Sequence, residues 1–432
     1  MKISDYKEIQ GFVKSSAQLE DQWSRVSIDS RNLDGFNVFL ALKGEKFDGH
    51  GFIENVLNSK IKNIILHDQA LYEKYSSLHP DVNIILVENT LSFLQDSARF
   101  RMSEFKKSGH QTLAITGSNG KTTTKEMLFH VAKSFCENVV CTQGNFNNLI
   151  GVPLTIHQEV LESTEFTIIE MGTGKPGDIK VLSEIVCPTY GYITSVGLAH
   201  IEFLKDIEGV YKEKTALYEN IKSNGETFYV NKYDERLKGL SGMKATIDCE
   251  DIAIENSSIE QSYNSENLNN AAFIIGHIYN DFEKAKLEAS KFFMPKMNRS
   301  QKITLKDKEL FLDAYNANPS SMSKAIVSFC ERYPLDDSIY VLGDMNELGT
   351  SSEEEHNNIA LLMNSLGIKN AIFIGNYRVY YSDVFSEDAK CYENVDDFLA
   401  EAKNVLNSYK YVFLKASRSL QLEKILDIKD RL

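Results

Sequence analysis

Gly117-Ser118-Asn119-Gly120-Lys121-Thr122-Thr123-Thr124 follows the apolar run Thr112–Thr116 (TLAIT) and opens a stretch with helical spacing, expected to run from Lys121 to about Cys136. A buried strand, a glycine turn and a helix make the setting of a phosphate-binding loop. The glycines let backbone N–H groups close around phosphate oxygens, and the helix start adds its positive dipole end. In that setting Lys121 would neutralise β- and γ-phosphate charge, and Thr122 would ligate Mg²⁺. The usual spacing puts a glycine where this chain has Ile115, so the loop, beginning at Gly117, is a shortened variant. The plainer reading is an ordinary glycine turn capping a helix. The GKTTT run and the strand–turn–helix context favour a nucleotide, with Ser118, Asn119, Gly120 and Thr123 completing the cradle.

On the N-terminal side lie three short apolar runs, Val38–Leu42, Ile61–Leu66 and Val82–Val87, and a polar hinge at Phe105–Gln111. On the C-terminal side, strands are expected at Phe166–Met171, Tyr190–Val196 and Thr227–Asn231, then a long helix from Ser265 to about Tyr279. The pattern changes near Met294–Ser300. A hairpin over Lys302–Leu312, with Asp307-Lys308 at its turn, opens a new unit. Strands at Ile339–Leu342, Ala371–Ile374 and Tyr411–Leu414 then alternate with helices near 319–332, 353–366 and 395–408. Such alternation reads as a parallel α/β unit. The boundaries are expected near 107 and 297, giving units of 1–107, 108–296 and 297–432.

Three units also suit the length, since 432 residues at roughly 150 per domain suggest about three. The composition, 42% hydrophobic and 25% charged, is that of a globular chain and excludes collagen-like, mucin-like and disordered classes. A net charge of −14 argues against sequence-independent binding to nucleic acid or to an anionic membrane. Six scattered cysteines show neither CxxC nor zinc spacing, which suits reduced thiols in a cytoplasmic protein. The start, MKISDYKEIQ, is polar and unlike a signal peptide. The apolar runs are far shorter than the ~20 residues of a membrane span.

Two chemistries compete for the nucleotide. Asn231-Lys232-Tyr233-Asp234 has the N-K-x-D shape of a guanine-reading loop, and Asp206-Ile207-Glu208-Gly209 matches D-x-x-G, as in a GTP-binding switch. The second motif, however, lies in a polar, helical stretch rather than at a strand end. The rival set is Glu170, ending FTIIE where a carboxylate could hold Mg²⁺ beside a phosphate loop, and His200 after ITSVG. Taken singly, Glu170 reads as a surface carboxylate, His200 as a structural histidine and Lys214 as a solvated helix lysine.

The ordered set of motifs resembles the Mur ligase family, MurF type. It runs through Asp29-Ser30-Arg31, VFLALKG (38–44), FDGHGF (47–52), GSNGKTTTKEM (117–127), GNFNNLIGVPLT (144–155), IIEMG (168–172) and ITSVGLAHIE (193–202). It continues with Glu213-Lys214, Asn267, Asn270-Ala271-Ala272, DAYNANPSSM (313–322), VLGDMNELG (341–349), EEH (354–356) and LKASRS (414–419).

The resemblance implies an α/β, three-domain architecture: an N-terminal UDP-sugar domain, a central P-loop ATPase domain and a C-terminal Rossmann-like domain. It implies an ATP-dependent ligase joining D-alanyl-D-alanine to UDP-N-acetylmuramoyl-tripeptide through an acyl phosphate. The alternatives are a Mur-type ligase adding a single amino acid and, from another class, the GTP switch. Lys121, Glu170, His200 and Lys214 would be catalytic. Mg²⁺ would be held by Thr122 and Glu170, with His200 and a carbamylated Lys214 at a second ion. Asn267, Asn270, Arg299, Asp313, Tyr315, Asn316 and Asn318 would contact ATP with the loop. Ser30, Arg31, Asp48, Gly49 and His50 would hold the UDP-sugar end. Asn145, Asn147, Asn148, Lys415, Ser417 and Arg418 would hold the rest of the substrates. A monomer, closing its domains around the site, is expected. Against the family pattern, Thr173-Gly174-Lys175-Pro176 replaces the usual residues after Glu-Met-Gly, Leu198 stands where Glu is frequent, and Asn298 replaces a common Gly.

Overall fold

Continuous apolar runs can only be satisfied between layers of helix, and each run of this kind here becomes a central strand of a sheet covered on both faces. The computed structural model describes residues 7–16, 25–44, 47–256, 258–259, 261–295, 298–305 and 307–431. The expected boundary at 296/297 lies outside them.

The first sheet contains β1 (Phe12–Ser15), β2 (Val26–Ser27), β3 (Val38–Leu40), β4 (Asn63–Leu66) and β5 (Asn83–Val87), in the order β1-β5-β4-β3-β2. Only β1 runs antiparallel to its neighbour. The second contains β6 (Gln111–Thr116), β7 (Val139–Cys141), β8 (Phe166–Glu170), β9 (Tyr190–Ile193), β10 (Thr227–Val230) and β11 (Thr246–Asp248). Its order is β11-β10-β9-β6-β8-β7, all parallel. The chain leaves β6 on one side and returns on the other at β9, so a crevice opens beyond the C-terminal end of β6.

The third sheet contains β12 (Gln301–Leu305), β13 (Lys308–Asp313), β14 (Ser338–Gly343), β15 (Ala371–Ile374), β16 (Lys390–Tyr392) and β17 (Tyr411–Lys415). Its order is β12-β13-β17-β14-β15-β16, parallel except for the β12–β13 hairpin. Leu305 pairs with Lys308, so Lys308 opens the returning strand and is not a turn residue as expected. The helix after the phosphate loop also ends early, at Ala132, with the amide of Cys136 bonded back to the Ala132 carbonyl.

The helix Thr90–Lys107 belongs to two cores. Its Phe93 and Leu94 pack under the first sheet, whereas Ala98 and Met102 join the core of the second. Polar contacts fix it there: Ser97 Oγ lies 2.8 Å from His157 Nε2, and Gln95 donates to the Leu149 carbonyl at 2.9 Å. The N-terminal sheet is thereby anchored on the central one.

Lys308 shows how a charge is buried at no site of chemistry. It is 4% exposed, and its ammonium donates to the carbonyls of Leu406, Asn407 and Tyr409 at 3.1, 3.0 and 2.9 Å. Those carbonyls close the helix Val395–Leu406, whose end would otherwise lack donors. Lys308→Met is expected to lower stability by about 1–3 kcal/mol through unsatisfied carbonyls. Urea unfolding would show it as a lower midpoint, with nucleotide binding unchanged.

Candidate functional site

Register sets the site. Ile115 pairs with Glu170 and Thr116 with Ile193, so the loop after β6 starts level with the ends of β8 and β9. Gly117 (φ +146°) passes so close to β9 that a Cβ would overlap Thr194 Oγ1. Gly120 (φ +80°) turns the chain into the helix Lys121–Ala132. The Lys121 ammonium donates to the Gly117 and Ser118 carbonyls at 2.7 and 3.2 Å. Burial lowers its pKa, and Arg299 pushes the same way, while Glu170 and Glu347 oppose them.

Glu170 is 1% exposed, which excludes the surface-carboxylate reading. Its Oε1 accepts from Thr122 Oγ1 at 3.1 Å and Asn147 Nδ2 at 2.8 Å, while Oε2 has no partner. A buried carboxylate oxygen without a donor costs free energy unless a cation meets it. Lys214 is likewise no solvated lysine. It is fully buried, its amine has no hydrogen-bond partner, and burial first, then Lys121, drive it well below the ordinary lysine range. Its neighbour Glu213 is committed elsewhere, accepting from Thr173 Oγ1, Gly177 N and Ile179 N at 3.1, 2.6 and 2.8 Å. The Thr173–Pro176 departure is therefore a loop held down by Glu213.

The residues fit hard cations. Among the described residues no three His, Cys, Asp or Glu side chains cluster as a metal cage. A Mg²⁺ that shares its shell with phosphates and water needs only one or two protein oxygens. Thr122 and Glu170 supply those. The buried, unpartnered Lys214 amine, its pKa driven down by burial, suits carbamylation, which would give an anionic oxygen ligand.

A cavity of about 410 Å³ opens between the second and third sheets and gathers most of these groups, but Lys214, fully buried, does not line it. Of the expected residues it is lined by Ser118, Asn119, Gly120, Lys121, Thr122, Thr123, Asn147, Asn148, Glu170, His200 and Asn267. The C-terminal unit contributes Arg299, Asp313, Tyr315, Asn316, Asn318 and Lys415. Asn318 Nδ2 donates to Asn119 Oδ1 at 2.8 Å, and the Arg299 guanidinium lies 3.7 Å above the Tyr315 ring. Lys415, in register with Asp313 and paired to its carboxylate, also donates to the Asn316 carbonyl at 3.1 Å. Asn298 takes φ +53°, a left-handed conformation that asparagine tolerates better than most residues with a Cβ, so glycine's role is kept at this hinge.

Other expected residues lie off the cavity. Asn270 is fully buried and donates to Tyr192 OH at 2.8 Å and Asn231 Oδ1 at 3.1 Å, so it supports the wall and does not line it. Ser417 accepts from Asn346 N at 3.0 Å within the C-terminal unit, and Arg418 pairs with Glu423. Asn145 is exposed on its loop. Ser30, Arg31, Asp48, Gly49 and His50 sit in the N-terminal unit, where Asp48 Oδ1 meets His50 Nδ1 at 2.6 Å and Arg31 pairs with Asp29 at 2.8 Å. Gly49 is pressed against the Leu42 backbone, where no Cβ fits.

The guanine-loop look-alike is occupied in another way. Asn231 Nδ2 donates to the Thr194 carbonyl, and Asp234 Oδ2 accepts from Val196 N at 2.8 Å, so the pair fastens the segment after β9. Asp206 caps the helix Ile207–Asn224 through Gly209 N at 2.8 Å. Asn231, Tyr233 and Asp234 of the guanine-loop look-alike nevertheless line the cavity, as do residues not foreseen, among them Ser195, Tyr263, Glu266, Ser321 and Lys324. Tyr263 lies on the helix Ser262–Ile278 one turn before Asn267, a spacing that could have flagged it, whereas Glu266 directly precedes Asn267 and carries no such signal. Ser321 forms a capping box with Asn318.

Comparison with known proteins gives matches along the whole architecture. The Mur ligase middle domain matches residues 115–291, the Mur ligase glutamate ligase domain 298–418, and the Mur ligase family catalytic domain 23–101. The UDP-N-acetylmuramoyl-tripeptide–D-alanyl-D-alanine ligase of Bacillus subtilis (strain 168) is 30% identical, with 93% of this chain and 92% of the relative covered. The ligase of the same name from Rickettsia prowazekii is 26% identical, covering 94% of each. In fold, a crystal structure of MurF from Acinetobacter baumannii superimposes with a TM-score of 0.83 at 23% identity, covering 96% of this chain and 95% of that one. MurF ligase from Thermotoga maritima, in complex with ADP, gives 0.79 at 21% identity, covering 95% and 97%.

Proposed function

The chain belongs to the Mur ligase family, and on that premise we propose that it is an ATP-dependent amide-bond-forming ligase of the MurF type. It joins D-alanyl-D-alanine to UDP-N-acetylmuramoyl-tripeptide and releases ADP and phosphate. The observation that carries the reading is Glu170: a buried carboxylate, bonded to the phosphate-loop Thr122 and left with one unpartnered oxygen beside Lys121. The choice of substrates is supported by the curated relatives matched over nearly the whole chain.

In this reading the tripeptide's terminal carboxylate attacks the γ-phosphorus of ATP, and ADP leaves. The amine of the dipeptide adds to the resulting acyl phosphate, and the tetrahedral intermediate expels phosphate as the amine loses its proton. The first step brings anions together, so charge neutralisation dominates its barrier. Lys121 and the amides of the Gly117–Thr122 turn bind the phosphates. Thr122 and Glu170 would hold a first Mg²⁺, and His200 with a carbamylated Lys214 would serve a second. Bound Mg²⁺ offsets the phosphate charge and polarises the transferring group. Arg299, stacked on Tyr315, brings a further positive charge from the C-terminal unit, and Asn267 borders the loop at Gly120.

The three sheets correspond to working units of 1–107, 108–296 and 297–432, the first holding the UDP-sugar end through Ser30, Arg31 and the Asp48–His50 turn. Asn145, Asn147 and Asn148 serve the acceptor peptide. A monomer is proposed. No helix among the described residues is long and apolar enough to cross a membrane, and with the acidic balance a cytoplasmic enzyme is proposed.

The test uses purified protein with Mg²⁺, ATP, UDP-N-acetylmuramoyl-tripeptide and D-alanyl-D-alanine. Expected are the joined pentapeptide and stoichiometric ADP. Replacing the dipeptide by single amino acids, or ATP by GTP, should remove most of the turnover. Product from a single amino acid and none from the dipeptide would move the chain to another Mur ligase type. GTP hydrolysis without ligation would reject the ligase reading.

A further inference from the structure

Two residues with left-handed backbones face each other across the junction of the central and C-terminal units: His200 (φ +55°) and Glu347 (φ +63°). Such conformations are unfavourable for a residue with a Cβ and persist where the surroundings over-determine them. Here they bring Glu347 Oε2 to 2.5 Å from His200 Nδ1. A backbone bond from Glu202 N to the Glu347 carbonyl, at 3.1 Å, runs beside it. Gly349 (φ +55°) packs against Glu202 closely enough that a Cβ would lie 3.3 Å from Glu202 Cγ.

The loop that presents Glu347 is held from behind by its own unit. Asp344 accepts from the amides of Asn376 and Tyr377, both at 2.9 Å. Met345 N donates to His356 Nε2 at 3.1 Å, and Asn346 N to Ser417 Oγ at 3.0 Å. Glu347 is therefore carried on a rigid frame in one unit, while its partner histidine sits in the other. His200 lines the cavity and Glu347 stands behind it.

We infer that Glu347 is a positioning residue: docking of the C-terminal unit places its carboxylate on His200 Nδ1 and so aims the remaining ring nitrogen at the metal side of the cavity. A carboxylate on the far nitrogen of a metal-side histidine fixes the ring and raises its basicity as a ligand. Assembly of the metal site is thus coupled to the meeting of the two units. The inference rests on the proposed role of His200.

The experiment measures Mn²⁺ binding, by electron paramagnetic resonance, to the full chain in the presence of ADP. It compares wild type, Glu347→Ala, Glu347→Gln, His200→Ala and the double variant. Glu347→Ala is expected to weaken Mn²⁺ binding about 10- to 100-fold, and Glu347→Gln, which keeps an acceptor oxygen, to recover part of the loss. The double variant should bind no more weakly than His200→Ala alone, since both remove one coupled unit. Wild-type affinity in Glu347→Ala, or additive losses in the double variant, would overturn the inference and leave the ligase reading standing. Neither ligation nor Mn²⁺ binding by wild type would overturn both.

Discussion

Lys121→Met is expected to cut turnover by about 10²- to 10³-fold, the cost of losing one preorganised charge at the point where charge develops. The structure explains why no neighbour can take its place. The Lys121 ammonium is tied only to the loop's own carbonyls, at Gly117 and Ser118, so it is free to exchange them for phosphate oxygens. Arg299 belongs to the other unit and is stacked on Tyr315. Lys125, four residues on, is buried and spent on the Thr142 carbonyl at 2.6 Å and on Glu126 at 2.6 Å. Lys121→Arg is expected to fail as well, because a planar fork cannot replace a compact ammonium inside so tight a turn. An assay coupled to ADP release gives the turnover. The fold should survive, since the strand and helix around the loop are secured by the buried cores of the second sheet. A variant retaining more than a tenth of wild-type turnover would remove Lys121 from the phosphate-neutralising role.

The phosphate loop was legible because its chemistry is local: one strand, one turn and one helix carry it, and their residues are contiguous. The central strands were legible for a similar reason, being continuous apolar runs such as NIILV and FTIIE. The strands that escaped, β1, β2, β7, β11 and β16, have two to four residues each. All but β7 contain polar residues and β1, β2, β7, β11 and β16 all lie at sheet edges, where pairing is decided by the neighbouring strand more than by local pattern. Two further features depend on contacts distant in sequence. Asn270 reads as one of a pair with Asn267, yet it turns into the wall to meet Tyr192 and Asn231. Glu347 lies within VLGDMNELG, but no role for it can be read there until its unit meets His200. Lys214 lies between these cases. It stands four residues from both Val210 and Tyr218, two buried positions of the same helix. That periodicity marks the core-facing stripe, and a lysine there is already out of place.

Lys214→Ala is therefore expected to lower turnover by about 10²- to 10³-fold, comparable to removing another charge-stabilising group. The amine is buried and unpartnered, and burial with the nearby Lys121 drives its pKa well below the ordinary lysine range; Glu213, whose oxygens are bonded to three other donors, opposes this only through its charge. A neutral amine is the form that reacts with CO₂, and the product exchanges a would-be cation for an oxygen donor of the kind a hard metal prefers. Two measurements separate this role from packing. Short carboxylates such as formate or acetate, which can occupy the space left by the side chain, should restore part of the activity of Lys214→Ala. Lys214→Met should unfold at a temperature no lower than wild type, since replacing a desolvated polar group by an apolar one of similar volume removes a cost, and should still be inactive. In the wild type, ¹³C-labelled bicarbonate should give a carbamate resonance that the Lys214→Met protein lacks. Loss of activity that neither CO₂ nor short carboxylates alter, in a variant that remains folded, would reduce Lys214 to a buried spacer and leave the second ion without its anionic oxygen.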